Sequence, residues 1–300
     1  MQLIYAIETM EGSPLGIDPV KTLNKQINQT SELFIYLLYF LTEVARFAET
    51  DARQRASRNL LTTEDLNVNI KLAGNELLWK ILESDSFKLA VAQDKPQLID
   101  DDQDLVKKIY NDLVASDIYQ SYIQVQGREK SSEKEIINFI FTDLMLPNEN
   151  FIAFIEEHFT NWDDDADMIN QLLLNYLQKP ASFNLTDMIG TEKKLFAKTL
   201  LTTTLDKKEY VTGIIKPKLK NWDSDRIAML DMILMQMGVC ELLYFETIPP
   251  KVTINEYIDI AKEYSTPQSG HFINGILDGI HKDLLAQDKI HKTDFKQKAS

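Results

Sequence analysis

Ile227-Ala228-Met229-Leu230-Asp231-Met232-Ile233-Leu234-Met235-Gln236-Met237-Gly238-Val239-Cys240-Glu241-Leu242-Leu243-Tyr244-Phe245 is apolar almost all round; only Asp231, Gln236 and Glu241 are strongly polar. A segment of this kind belongs at the centre of a helical core. Three polar groups in so short a run argue against a lipid-spanning helix. Ahead of it, Asn221-Trp222-Asp223-Ser224-Asp225-Arg226 offers Asp223 or Ser224 as an N-cap. Behind it, Pro249 pushes Ile248 out of the helical region and ends the run. The chain resumes as Pro250-Lys251-Val252-Thr253-Ile254-Asn255-Glu256. Thr253 and Glu256 have capping-box spacing, and Ile254, Tyr257, Ile258 and Ala261 make the buried stripe of a second helix. A third helix carries Phe272, Ile273, Ile276, Leu277 and Ile280 on one side. Gly275 and Gly279, one turn apart, would let another backbone come close there.

Working outward, the front of the chain also reads as helical. The expected helices are Val20 to Thr50, Asp65 to Glu83, Gln103 to Tyr119, Glu133 to Met145, Phe151 to Phe159 and Asp164 to Leu177. Ser132 and Glu135 give a further capping-box spacing. Breaks are expected at Gly12 to Pro19, Pro96, Gly127, Pro147 and Pro180. Leu33 to Leu41 is too short to span a bilayer and marks a buried helix. At 300 residues and 44% hydrophobic, the chain can bury a substantial core in one large or two smaller domains. Its single cysteine, Cys240, excludes disulfides within the chain and reads as a packed thiol. The start lacks a signal peptide's basic region and cleavage site, so a cytoplasmic location is expected.

Charge is divided unevenly. The net charge is −14, yet residues 191–300 hold 16 Lys/Arg against 15 Asp/Glu, while residues 1–190 hold 16 against 31. An acidic front part repels nucleic acid and attracts basic proteins; the near-neutral back part does neither strongly.

The order of the back segments, Pro-Lys-Val-x-Ile-Asn-Glu over 250–256 followed by Phe-Ile-Asn-Gly-Ile-Leu-Asp over 272–278, resembles the NusB family of bacterial transcription antitermination factors. Residues 191 to 285 are similar to the family's later helices. Met1-Gln2-Leu3-Ile4-Tyr5-Ala6 is similar to the end of its first helix, where Gln-x-x-Tyr occurs. The resemblance implies an all-α, NusB-like helical bundle with a large acidic helical insertion after the first helix. Residues 1–190 then comprise that first helix and the insertion, and 191–300 the RNA-binding core. It also implies antitermination: binding of boxA-type single-stranded leader RNA of ribosomal RNA operons together with a small-subunit ribosomal protein, NusE, within the RNA polymerase antitermination complex. No cofactor or metal is implied.

Carried over position by position, the resemblance places Gln2, Tyr5, Lys251, His271, Phe272 and Asn274 at the RNA, and Asp225, Asp231 and Gln236 at the protein partner. The chemistry fits, because single strands are held by stacking on rings, amide contacts to base edges and cations at phosphate. Other readings stay open: Phe272 as core, His271 as a surface histidine, Asp225 as a helix cap, Asp231 as half of an internal pair. The family's arginine-rich stretch before the first helix has no counterpart ahead of Gln2, and Gln236 stands where the family usually has arginine. Arg53, Arg55 and Arg58 form the only compact arginine group, read either as a substitute for that stretch or as a solvated helix end.

Two acidic clusters, Asp100-Asp101-Asp102 with Asp104 and Asp163-Asp164-Asp165 with Asp167, lack the glycine and distal glutamate of a calcium loop and read as caps and solvated faces. No phosphate-binding glycine loop, catalytic triad or zinc spacing occurs, so an enzyme is not expected. A protein-only adaptor that holds a basic ribosomal protein without recognising RNA is the competing expectation. An RNA-modification factor related to methyltransferases with a similar helical domain is a third.

Overall fold

The computed structural model describes residues 1–10, 18–57, 69–99, 103–219 and 227–293, and among them no strand occurs. The chain divides into two compact units, Met1–Lys25 with Thr191–Ser300 as unit 1 and Gln26–Gly190 as unit 2. Unit 2 holds 28 Asp/Glu and 14 Lys/Arg, net −14; unit 1 holds 18 of each, net 0. None of the described helices is long and apolar enough to cross a membrane.

Helix α1 (Gln2–Thr9) belongs to unit 1 and contributes Leu3 and Ile4 to its core. Helix α2 (Pro19–Ala56) begins in unit 1, where Leu23 joins that core, and supplies the centre of unit 2. From Leu33 to Leu38 every side chain of α2 is buried, as the unbroken apolar run requires. Around it stand α3 (Glu76–Glu83), α4 (Asp85–Asp94), α5 (Gln103–Ala115), α6 (Asp117–Gln124), α7 (Lys130–Phe139), α8 (Glu149–His158) and α9 (Trp162–Gln178). Rings close the contact: Tyr36 lies 5.9 Å from Phe154 and 5.3 Å from Phe159, and Phe40 lies 4.7 Å from Phe151. Such pairs add roughly 0.5–1.5 kcal/mol each beyond area burial.

Several local expectations for unit 2 are corrected. The helix expected to run from Gln103 to Tyr119 breaks at Ser116, whose hydroxyl accepts from the Tyr119 amide and caps a new helix. The helix expected from Asp65 starts at Glu76, because the Asn75 side chain accepts from the Leu77 and Leu78 amides; Asp65 itself lies outside the described residues. Ser132 and Glu135 form no capping box: α7 starts earlier, at Lys130, and the Ser132 hydroxyl donates to the Glu129 carbonyl. Beyond Phe139 the chain widens into a π-helical stretch, Ile140–Met145, closed by the Leu146 amide donating to the Phe141 carbonyl.

Gly190, at φ 74°, makes the left-handed turn that leads into unit 1. There α10 (Thr191–Asp206), α11 (Lys208–Ile215), α12 (Met229–Tyr244), α13 (Pro250–Tyr264) and α14 (Ser269–Ala286) follow one another. Helix α12 is the centre, buried from Ile233 to Leu242, and α1, α10, α11, α13 and α14 all pack on it. Its proposed caps Asp223 and Ser224 lie outside the described residues; the N-cap position is Ala228, without a side-chain bond. Thr253 is not a cap either. Pro250 at the first helical position starts α13, its fixed φ being ready for the helix, and Thr253 is buried.

The close backbone approach expected at Gly275 and Gly279 occurs elsewhere. A Cβ at Gly275 would meet nothing within 4 Å, and one at Gly279 only the Lys218 Nζ at 3.9 Å. At Gly238 it would lie 3.0 Å from Leu277 and 3.2 Å from Tyr257, and at Gly270 3.1 Å from Lys262. The glycines that matter are those facing another helix.

Candidate nucleic-acid interface

The three polar residues of α12 explain how unit 1 is held in register. Asp231, 6% exposed, accepts from Ser265 Oγ at 2.6 Å and Ser269 Oγ at 2.8 Å, which ties the α13–α14 junction to the start of α12. Five residues on, Gln236, 3% exposed, donates from Nε2 to Thr212 Oγ1 of α11 at 2.9 Å. Another five on, Glu241, 5% exposed, accepts from Thr253 Oγ1 at 2.7 Å and from the Tyr257 hydroxyl at 3.2 Å on α13. Each polar group thus addresses a different neighbour, and none is left unsatisfied in the core. Burial, with the Glu241 charge beside it, pushes the Tyr257 hydroxyl well above its usual pKa. At the C-terminal end of α12, Lys292 donates to the Glu241 and Phe245 carbonyls, a cation where the helix dipole favours one. Its burial pushes its pKa down.

Of the residues expected at a protein partner, then, Asp231 and Gln236 are turned inward and bonded within unit 1. Asp225 lies outside the described residues, as do Arg226, Arg58, Asp100, Asp101 and Asp102. Glu241 and Lys292 went unassigned in the sequence. A lone acid in an apolar run is a signal for Glu241, whereas nothing local points to Lys292, 51 residues away from its acceptor.

The residues expected at RNA sit on the surface of the same unit. Tyr5 is 44% exposed on α1, and Gln2, one turn earlier, is exposed too. Lys251 is exposed in the first turn of α13, and His271 and Asn274 are exposed in the first two turns of α14. Phe272 is half-buried, its ring against the unit 1 core while one side meets solvent. Neither α13 nor α14 has an acidic residue in its first turn. Lys251 and His271 therefore stand at two helix N-termini whose dipoles favour anions. They do not form one cluster: Gly270 packs on Ile258 and Lys262, so the start of α14 lies beside the second half of α13. At 1.5 Å per residue, Lys251 is roughly 10–16 Å farther along that helix. The two cations are therefore separate anion-favouring points on one unit.

Among the described residues no group of three or more His, Cys, Asp or Glu side chains is placed to hold a metal ion. Asp163, Asp164 and Asp165 occupy the first turn of α9, and Asp165 accepts from Thr30 and Asn161. Cys240 is buried, and burial raises its thiol pKa to about 11.

What this defines is a helical bundle with a surface of amide, aromatic and cationic side chains. Comparison with known proteins shows what the chain is similar to: residues 152–282 match the NusB family. The match begins in α8 of unit 2 and ends in α14. The transcription antitermination protein NusB of Salinibacter ruber is 47% identical over 98 residues, 33% of this chain and 61% of that protein. Its namesake from Methylacidiphilum infernorum is 49% identical over 76 residues, 25% of this chain and 53% of that protein. That of Finegoldia magna is 44% identical over 87 residues, 29% of this chain and 64% of that protein. The chain thus spans between about half and two thirds of the length of these relatives. The structure of T. maritima NusB is 29% identical, covering 44% of this chain and 86% of that one, at a TM-score of 0.32.

Proposed function

We propose that this protein is a cytoplasmic transcription antitermination factor. It binds boxA-type single-stranded leader RNA of ribosomal RNA operons together with the ribosomal protein NusE and promotes read-through by RNA polymerase. The observation that carries this reading is the pair of acid-free helix N-termini, one presenting Lys251 and the other His271, with Phe272 half-open and Asn274 exposed near His271. That combination supplies phosphate contacts, a ring for stacking and an amide for a base edge. Gln2 and Tyr5 extend the same chemistry on α1. Asp231 and Gln236 serve a protein partner indirectly, by fixing the surface around them, and Asp225 is the proposed direct contact.

A binding titration with a labelled boxA RNA and a scrambled strand, with and without NusE and at two salt concentrations, tests the reading. Preference for boxA, strengthened by NusE and weakened by salt, is expected. Tight NusE binding without RNA discrimination would favour the adaptor, a reading that the net charge of −14 on unit 2 supports.

A further inference from the structure

Unit 2 carries a groove that lies almost wholly outside the family-matched span, between α6 and the face of α7 that continues into the π-helical stretch. Two clefts compose it, of about 470 and 380 Å³. They share Ile118 and Glu135 and so are continuous. Along α7 the lining follows one helical face, Ser131, Glu135, Asn138, Phe139 and Thr142, and ends on Asp143. From Ser132 to Asp143 the groove runs roughly 17 Å, the length of about five residues of extended chain.

Three features point to its occupant. Its charge is negative: Asp117, Glu135 and Asp143 line it, and among the described residues none of them is in an ion pair. The one lysine in the lining, Lys134, is committed, donating to the Gln178 backbone carbonyl at 2.8 Å and to its side-chain oxygen at 3.3 Å. Apolar surface is interleaved with the acids, from half-buried Ile118 and Phe139 to exposed Val125. The wall that carries Thr142 and Asp143 is the π-helical stretch itself, a geometry concentrated at functional sites.

We propose that this groove is a docking site for a short extended segment of a basic protein, whose Lys or Arg side chains meet Asp117, Glu135 and Asp143 while alternate apolar side chains rest on Ile118, Phe139 and Val125. Each wall carries acid and apolar groups, Asp117 with Ile118 on α6 and Glu135 with Phe139 on α7, so both faces of an extended chain meet charge and apolar surface. The net charge of −14 on unit 2 draws such a partner in, and the groove decides where it settles.

The test uses the full chain and a fluorescein-labelled eight-residue peptide alternating Lys and Leu, followed by anisotropy, with an alternating Glu and Leu peptide as control. The Lys peptide binds and the Glu peptide does not. The double variant Glu135→Lys, Asp143→Lys weakens binding at least tenfold. Glu156→Lys with Glu157→Lys, exposed on α8, outside the groove and equal in charge change, alters it less than threefold. Equal losses from the two double variants would mean bulk charge alone and overturn the proposal. So would absence of binding, or concentration-dependent self-association that the groove variant abolishes. Circular dichroism of each variant confirms that it is folded.

Discussion

Asp231 is the residue on which two readings of the sequence part. Facing a partner, it would be dispensable for folding; in the structure both its oxygens accept serine hydroxyls in the interior. Asp231→Ala leaves those hydroxyls without their acceptor and should cost about 3 kcal/mol in urea denaturation. A loss below half a kcal/mol, with partner binding abolished, would return Asp231 to the surface role. The alkaline limit of stability is also set by single residues. Burial raises the Cys240 thiol from 9.0 to about 11 and lifts Tyr257 above its usual value. An acid with a raised folded pKa contributes stability in full below its unfolded pKa and loses it as pH rises through the folded value. Stability should therefore fall between about pH 9 and pH 11, with Cys240→Ala flattening the first part of the decline. An unchanged slope in that variant would show that the thiol ionises as freely folded as unfolded.

At the level of helices, the glycines of α12 and α14 make opposite predictions. Gly238→Ala gains helix propensity but drives a methyl into Leu277 and Tyr257, both buried and the latter held by Glu241. Neither can yield, so a net loss of about 1–2 kcal/mol is expected. Gly275→Ala meets open space and should gain about 0.5–1 kcal/mol. Thermal melts of the two variants check the pair, and equal effects would contradict it. The same contrast shows what was legible beforehand. Periodicity and the double proline sufficed for α12, α13 and α14, because burial of an apolar face and the geometry of proline are local facts. Which glycine faces a neighbour depends on how helices cross, and no local pattern carries that. Thr253 illustrates the same limit: its spacing to Glu256 reads as a cap, yet its hydroxyl goes to Glu241 on another helix. Likewise Gln2, Tyr5, Lys251, His271 and Asn274 could be nominated by resemblance, while the inward turn of Asp231 and Gln236 could not be seen until their partners were in place.

For the whole molecule, the salient fact is that α1 and the helices after Gly190 share one core, although 165 residues of unit 2 intervene. Ile4 is 2% exposed in that core. Ile4→Ala should destabilise unit 1 by about 2–4 kcal/mol while leaving the near-ultraviolet signal of the unit 2 rings unchanged. Loss of both signals together would show that the two units unfold as one. The division of charge, −14 on one unit and 0 on the other, fits the proposal that a strand of RNA binds unit 1 and a basic polypeptide unit 2.

Cross-linking of a photoactivatable boxA RNA to the full chain, with the adducts located by mass spectrometry, tests this assignment most directly. Adducts confined to α1 and the first turns of α13 and α14, at Tyr5, Lys251, Phe272 and their neighbours, are the predicted result. Adducts on unit 2 with none on those three helices would contradict it.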